Sequence, residues 1–215
     1  GVLWHDGSLC LGSVSEEAFG PQSRTPAAPG SGGFSFARKQ KDITMSIRVG
    51  IVGISGFGGG EALRLIASHP VFELVYAAGE SSAGSRLVDR FPGVPARLAE
   101  LVIAKWDPET LPPLDVLFAS LPTGASAEAL ARVPKAVKIV DLGGDHRSVE
   151  GWAYGLADIW PDRIQGQVRV ANPGCFPAAT LTALAPLLAD KLIEPGNIVI
   201  DVKTGISGAG RGGDS

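Results

Sequence analysis

The chain has 215 residues, 45% hydrophobic and 19% charged, a composition typical of a globular protein with one complete domain and part of a second. A net charge of −3 and an isoelectric point near 5.6 leave no broad basic surface, which argues against nucleic acid or an anionic membrane as partner. No run reaches the roughly 20 apolar residues of a membrane span, and the first residues lack the pattern of an export signal. We therefore expect a cytoplasmic protein that acts on a small soluble molecule.

The two cysteines, Cys10 and Cys175, lie far apart in the sequence. Two such thiols make neither a disulfide framework nor a zinc site, so we expect a reducing compartment and no bound metal.

The first segment, residues 1–44, mixes Ser, Pro, Gly and scattered charges without a sustained period of 2 or 3.6. This pattern predicts a disordered leader or an upstream artefact. Met45 is the only methionine and stands directly before the first strand-like run, so we take it as the hypothetical natural start.

From Ile47 the chain alternates short apolar runs with helical patterns, as in an α/β protein. The predicted strands are 47–52, 72–78, 116–121, 138–141 and 168–171, and the predicted helices are 59–68 and 125–132. Because the runs are continuously apolar, they indicate strands buried on both faces, that is, a doubly wound parallel sheet.

After Asp141 the sequence becomes Gly-rich and irregular, and we place a domain boundary at residue 150. Residues 45–150 form the predicted first domain, and residues 151–215 form the start of a second, α+β domain. The second is predicted to contain a helix at 177–190 and a half-buried strand at 198–204, without returning elements that close a second sheet.

A glycine-rich loop, GIVGISGFGGG, follows the first strand and opens the first helix, which is the context of a dinucleotide fingerprint. Gly53 allows the tight turn, Gly56 lets the backbone approach a pyrophosphate, and Gly59 permits close helix packing. A tight turn without a ligand is the alternative. The predicted cofactor-binding residues of this loop are Gly53, Ser55, Gly56, Phe57, Gly58 and Gly59.

The loop after the second strand should select the cofactor, because an acidic residue there binds a ribose 2′-hydroxyl and a basic or hydroxyl-rich loop binds a 2′-phosphate. Ser81, Ser82 and Arg86 favour the phosphate, and therefore NADP, whereas Glu80 opposes it. Each of these side chains can equally be a solvated loop residue.

A candidate nucleophile, Cys175, lies in the segment ANPGCFP between a strand and an apolar helix. Pro177 suits a first helical turn, which places Cys175 at a helix N-terminus, where the helix dipole favours the reactive thiolate. A buried structural cysteine is the alternative. In a chain with a nicotinamide site, a thiolate indicates attack on an activated acyl carbon followed by hydride transfer.

From about Ser46 to Arg211 the chain resembles the N-acetyl-gamma-glutamyl-phosphate reductases, relatives of aspartate-semialdehyde dehydrogenase. The resemblance rests on VGIVGISGFGGGEALRLI, DVLFASLPTGAS, VDLGGDHR, YGL, VANPGCFPAATLTALAPL and DVKTGISGAGR, in that order. It implies an NADP-binding Rossmann-type domain, a catalytic domain with oligomer contacts, and Cys175 as the nucleophile that forms a thioester with the acyl phosphate in arginine biosynthesis.

The resemblance also implies that DVKTGISGAGR lines the junction of cofactor and substrate. Ser207 and Gly208 are the predicted cofactor contacts there, and Lys203 and Arg211 the predicted substrate contacts. From geometry and not from the family, we expect Asn172 to support the developing oxyanion.

The chain departs from the family pattern at Phe57-Gly58, Thr123 and Glu80. The family's catalytic histidine belongs to a stretch beyond Ser215, and neither His69 nor His146 is a good substitute. We therefore expect a fragment with weak or no activity by itself. A lysine-pathway reductase of N-acyl-aminoadipyl phosphate and a non-catalytic dinucleotide-binding module are the alternatives.

Overall fold

A computed structural model describes residues 46–210 and, near the start of the chain, the backbone of two strands, β1 (Val2–His5) and β2 (Ser8–Leu11), which pair antiparallel. The remainder of the predicted leader lies outside the described residues, and so does Arg211. Residues 46–179 and 203–210 belong to one compact unit, and residues 180–202 belong to another.

The centre of the larger unit is a six-stranded sheet whose described pairings are all parallel. Its strand order is β4-β3-β5-β6-β8-β7. The strands are β3 (Ile47–Val52), β4 (Phe72–Ala78), β5 (Val116–Ala119), β6 (Lys138–Asp141), β7 (Ala153–Tyr154) and β8 (Arg169–Ala171).

The strand order reverses direction at β3, because β4 lies on one side of it and β5 on the other. Loops that leave neighbouring strands at such a point run to opposite faces and open a crevice at the carboxyl edge of the sheet, where α/β proteins bind ligands. The glycine-rich loop after β3 lies at this position.

The described residues form four α-helices: α1 (Phe57–Ser68), α2 (Leu87–Arg90), α3 (Ser126–Ala131) and α4 (Cys175–Ala189). Short 3-10 turns occupy Ala96–Leu98, Pro108–Thr110, Pro161–Arg163 and Ile206–Ala209. Helix α1 ends at Ser68 because the Pro70 ring disfavours helical backbone at His69.

Two apolar clusters cover the two faces of the sheet. Leu63 and Ile66 of α1 belong to one cluster, and Leu130 of α3 belongs to the other. Within β5, Leu117 lies in the second cluster and Phe118 packs against the first, since successive strand residues point to opposite faces. The predicted α/β class with a doubly wound parallel sheet is confirmed.

Most predicted elements match the structure closely. Strands β3, β4 and β6 have the predicted bounds, β5 and β8 are shorter, and α1 begins two residues early, at Phe57. Helix α4 begins at Cys175 instead of Pro177, so the cysteine is the first residue of the helix.

The predicted strand at 198–204 is wrong, because the segment has no regular secondary structure and no strand of the described residues pairs with it. An isolated strand leaves its backbone hydrogen-bonding groups to water and gains nothing from a ladder. The side chains of this segment still alternate in solvent exposure. Ile198 and Ile200 are half-buried, whereas Val199 is 92% exposed.

The sheet also continues past the boundary that we predicted at residue 150. Strands β7 and β8 follow that boundary, yet β8 pairs with β6 and β7 pairs with β8. They complete the first sheet because Val170 and Ala171 of β8 pair in parallel with Val140 and Asp141 of β6. The loop after β8 therefore emerges at the same edge as the glycine-rich loop.

Candidate dinucleotide and nucleophile site

Gly53 makes the turn that leaves β3. Its φ is +80°, a left-handed value that favours glycine, and a Cβ there would overlap the carbonyl oxygen of Ser120. The amides of Gly53 and Ile54 both donate to the carbonyl of Ala78, at 2.9 and 3.0 Å. The predicted tight turn at Gly53 is thus required by the packing of β3 against its neighbours.

The other glycines of the loop have different surroundings. A Cβ on Gly59 would overlap the Gly53 carbonyl, and one on Gly58 would lie 2.7 Å from Ser120 Oγ. A Cβ on Gly56 would meet only the Gly53 oxygen, at 3.5 Å. The packing of the chain therefore requires Gly59 but not Gly56.

The start of α1 is suited to an anion. Gly56 is its N-cap residue and provides no side-chain cap, and the first-turn amides of a helix lack partners within the helix. Together with the bare backbone at Gly56, these amides fit the phosphates of a dinucleotide. Phe57 begins the helix with its side chain 52% exposed.

Two predicted cofactor residues from different loops come together beside this turn. The hydroxyls of Ser55 and Ser82 lie 2.6 Å apart, and Ser82 is buried. Gly79 makes room for this pair, because its Cβ would lie 2.5 Å from Ser55 Oγ. Ser81, in contrast, is exposed and makes no side-chain hydrogen bond within the described part of the chain.

Cys175 follows β8 after the short segment Asn172–Gly174 and begins α4. The Ala178 amide donates to the Gly174 carbonyl at 3.0 Å, which closes the first helical turn around the cysteine. Cys175 is exposed and is not in a disulfide. The alternative of a buried structural cysteine is therefore wrong, and the thiol is accessible to a reactant.

Arg147 holds the loop before Cys175, a role that our sequence analysis missed. Its Nε donates to the Asn172 carbonyl at 2.9 Å, and its Nη1 lies 2.9 Å from where a Cβ on Gly174 would be. Asn172 itself donates from Nδ2 to the Pro173 carbonyl at 3.0 Å. The sequence places Arg147 in the segment VDLGGDHR, but this position does not predict that the side chain contacts Asn172.

A buried polar cluster supports the same edge of the sheet. Asp141, at the end of β6, accepts from Ser126 Oγ at 3.0 Å and pairs with His146 Nδ1 at 2.6 Å. The His146 ring stacks on Trp152, with ring centroids 3.8 Å apart. His146 lies in a turn, as predicted, but this carboxylate contact and its burial give it a structural role.

Asp145 joins this cluster to α3. It accepts from the amides of Gly124 and Ala127, at 2.6 and 3.1 Å, and from the Ser126 hydroxyl at 3.0 Å. The pKa of Asp145 lies below its usual value, chiefly because of the hydrogen bond from the Gly124 amide.

The remaining predicted residues lie in the exposed stretch before residue 210. Lys203 is exposed, and Ser207 and Gly208 lie in the 3-10 turn. The Gly208 amide donates to the Gly205 carbonyl at 3.0 Å. Within the described ranges there is no group of three side chains placed to hold a metal ion, and no helix is long and apolar enough to cross a bilayer.

The glycine loop and Cys175 lie on one edge because both follow carboxyl ends of parallel strands. Strands β3 and β8 are separated by three inter-strand spacings in the order β3-β5-β6-β8, or about 14 Å. The arrangement thus places the glycine loop and an exposed cysteine along one edge of the sheet.

Curated relatives share most of the chain. It is 84% identical over 169 residues to an N-acetyl-gamma-glutamyl-phosphate reductase of Methylobacterium sp. (strain 4-46), covering 79% of this chain and 52% of that protein. The enzyme of the same name from Salinispora arenicola is 42% identical over 183 residues, covering 78% and 54%. The chain spans about half the length of the curated relatives it matches.

Solved structures support the fold. The aspartate semialdehyde dehydrogenase of Candida albicans, crystallised with NADP, superposes with a TM-score of 0.55 at 19% identity, over 66% of this chain and 46% of that one. Aspartate semialdehyde dehydrogenase II of Vibrio cholerae gives 0.51 at 18% identity, over the same shares.

Two family profiles match the chain in succession. Residues 48–167 match the one described as semialdehyde dehydrogenase, NAD binding domain, and residues 175–215 match the one described as semialdehyde dehydrogenase, dimerisation domain. The first match covers more than half of the chain, and it contains the glycine loop. The chain therefore belongs to the semialdehyde dehydrogenase family and carries its NAD-binding domain.

Proposed function

We propose that this chain is the cofactor-binding and nucleophile-bearing part of an N-acetyl-gamma-glutamyl-phosphate reductase of arginine biosynthesis. The enzyme reduces N-acetyl-L-glutamyl 5-phosphate to N-acetyl-L-glutamate 5-semialdehyde with NADPH and releases phosphate. The observation that carries the proposal is the exposed thiol of Cys175 at the start of α4, on the same sheet edge as the glycine loop. The relatives' shared name supports the substrate.

Cys175 performs the covalent step. Its sulfur attacks the γ-acyl carbon, the bond between that carbon and the phosphate oxygen breaks, and phosphate leaves with the electron pair. When bound, the reduced nicotinamide cofactor supplies a hydride to the carbonyl carbon of the resulting thioester. The carbon–sulfur bond then breaks, which releases the semialdehyde and regenerates the thiolate.

The loop around Cys175 provides the polar contacts. One N–H of the Asn172 amide donates to Pro173, so its second N–H can stabilise the oxyanion that forms during attack. Arg147 keeps Asn172 and Gly174 in place through the contacts described above. Lys203 and Arg211 remain the proposed substrate contacts, and Ser207 and Gly208 the proposed cofactor contacts from the second domain.

The residues that would hold the cofactor fit it. Bare backbone at Gly56 and the uncapped start of α1 suit the pyrophosphate, and Ser55, Ser81 and Ser82 are the proposed contacts at the adenosine end. We also propose a cytoplasmic location and, for the full-length protein, a homo-oligomer, since the match to a dimerisation domain begins at residue 175.

The reverse reaction tests the proposal: phosphate-dependent reduction of NADP by N-acetylglutamate semialdehyde. We expect weak or no turnover from the 215-residue chain and ordinary turnover from a version extended to the relatives' length. In the extended protein Cys175→Ala should lower kcat by on the order of 10³-fold or more, because the substitution removes the proposed thioester-forming thiol. Cys10→Ala is the matched control and should leave kcat unchanged.

Ordinary turnover by the Cys175→Ala variant would contradict the mechanism. No turnover by the extended protein would contradict the substrate assignment. In that case N-acyl-aminoadipyl phosphate should be tested, since the lysine-pathway enzyme performs the same chemistry on a longer side chain. A non-catalytic dinucleotide-binding module has no use for a reactive thiol, and rapid alkylation of Cys175 at mildly acidic pH would argue against it.

A further inference from the structure

The loop after β4 carries charges of both signs, and the structure distinguishes their roles. We propose that Arg90, the last residue of α2, binds the 2′-phosphate of NADPH and thereby sets the preference for NADPH over NADH. The site is a small cavity between the glycine loop and α2. This inference rests on the proposed function, because it assigns a residue to one end of the cofactor.

The cavity has a volume of about 150 Å³, and it is lined by Ser55, Ser82, Asp89, Arg90 and Phe91. That is room for on the order of five water molecules, enough for a phosphate group. Ser55 follows β3 and Ser82 follows β4, so the cavity lies at the carboxyl ends of the two strands where a doubly wound fold places the adenosine ribose.

Arg86, which the sequence analysis favoured, is already paired. Its Nη2 lies 2.8 Å from Asp89 Oδ1, its Nε donates to Asp89 Oδ2 at 3.1 Å, and its Nη1 lies 3.4 Å from Glu100. The hydrogen bonds that Arg86 donates to Asp89 raise the pKa of Arg86 above its usual value, and the same contact lowers the pKa of Asp89. The Asp89 carboxylate at the cavity wall is therefore largely neutralised by Arg86.

Arg90 also lines the cavity, but its guanidinium has no ion pair or hydrogen bond with any other described residue. It is thus a cation available to a ligand, and a guanidinium binds phosphate oxygens in a bidentate manner. Glu80, which argued against NADP in the sequence, is exposed and is not among the residues that line the cavity.

The Ser55–Ser82 pair provides the hydroxyl groups of the cavity. One hydroxyl of the Ser55–Ser82 pair donates to the other, which leaves one hydroxyl hydrogen for an anionic ligand. Ser82 is only 1% exposed and Gly79 leaves space for both hydroxyls, so the pair lies at the cavity wall with Ser82 shielded from solvent.

The test is a binding measurement on the 215-residue chain. Dissociation constants for NADPH, NADH and 2′,5′-ADP are measured by calorimetry for the wild type, Arg90→Gln, Arg90→Lys and Arg132→Gln. We expect Arg90→Gln to weaken NADPH and 2′,5′-ADP by about tenfold to a hundredfold, the range for a charge-assisted contact, and to change NADH binding less than about threefold. Arg90→Lys should recover part of the loss, and Arg132→Gln, which removes the same charge at an exposed site that does not line the cavity, should leave the NADPH to NADH ratio unchanged.

Each contrary result has a separate meaning. Equal loss of NADPH and NADH in Arg90→Gln, or no loss of either, would overturn the role of Arg90 while leaving the dinucleotide site intact. A wild-type preference for NADH would overturn it as well. If the wild-type chain, shown to be folded by circular dichroism, binds neither dinucleotide, the proposed function fails and this inference fails with it.

Discussion

At the scale of single residues, Asp145 shows how one carboxylate secures a neighbouring element. Helix α3 has no side-chain cap of its own, and its first turn is capped instead by Asp145 from the loop after β6. The capping contacts favour the ionised carboxylate, which is why the pKa of Asp145 is lowered. A carboxyl group with a lowered pKa stabilises the fold above its unfolded value, near 3.8, and loses that contribution as pH falls through the folded pKa.

We therefore expect Asp145→Asn to lower the free energy of unfolding by about 1–2 kcal/mol at pH 7. The difference from wild type should shrink as the pH falls below 3.8 and through the lowered pKa of the folded state, because the wild-type carboxyl is then increasingly protonated. Urea unfolding at pH 7 and at a pH below that folded-state pKa measures this. The exposed Asp162 provides the control Asp162→Asn, and an equal loss for Asp145→Asn at both pH values would show that charge is not the cause.

At the scale of elements, the junction of β3 and α1 is defined by how closely the helix approaches the loop. A Cβ on Gly59 would overlap the Gly53 carbonyl and lie 2.7 Å from Ile54 Cα, both backbone atoms that cannot move aside. Gly60 is the next residue in the same helix, and a Cβ there would lie 3.4 Å from the Phe91 ring. A methyl group at Gly59 would therefore collide with the backbone, whereas one at Gly60 would make an ordinary contact.

The same substitution at these two positions should have opposite effects. Gly59→Ala should lower the free energy of unfolding by about 1–3 kcal/mol through overpacking, whereas Gly60→Ala should raise it by about 0.5–1 kcal/mol because alanine favours helix. Thermal or urea unfolding of the two variants checks the prediction. Equal effects of the two substitutions would mean that α1 does not pack against the glycine turn in this way.

At the scale of the whole molecule, the segment that matches the dimerisation domain exposes large apolar side chains. Leu192 is 69% exposed and Val199 is 92% exposed, within the unit that holds residues 180–202. Apolar surface of this kind is often covered by another protein surface. In the proposed homo-oligomer, a second copy of the protein would cover this apolar surface.

We expect the version extended to the relatives' length to self-associate in a concentration-dependent manner and Val199→Glu in it to weaken the association at least about tenfold, because a charge replaces an apolar side chain at the proposed interface of each copy. Sedimentation velocity over a range of concentrations measures this. Val149 is 46% exposed and lies outside the dimerisation match, so Val149→Glu is the control. If both variants associate like the wild type, the surface around Val199 is not the interface.

Elements whose signals are local could be predicted from the order of the residues. Strands β3, β4 and β6 were predicted with their observed bounds, since continuous apolar runs between turn residues need no information from elsewhere. The glycine turn at Gly53 and the placement of Cys175 at a helix start also follow from neighbouring residues, because they depend on backbone conformations that few residue types allow.

Contacts between residues that are distant in the sequence could not be predicted in this way, because they depend on the folded sheet. No pattern indicates that Arg147 holds the loop before Cys175, that Asp145 caps α3, or that Arg86 is paired while Arg90 is not. The run at 198–204 failed as a predicted strand for the same reason, since alternation describes one strand and pairing requires another. Local propensities are carried by adjacent residues, whereas side-chain partnerships depend on the order in which the sheet brings its strands and loops together.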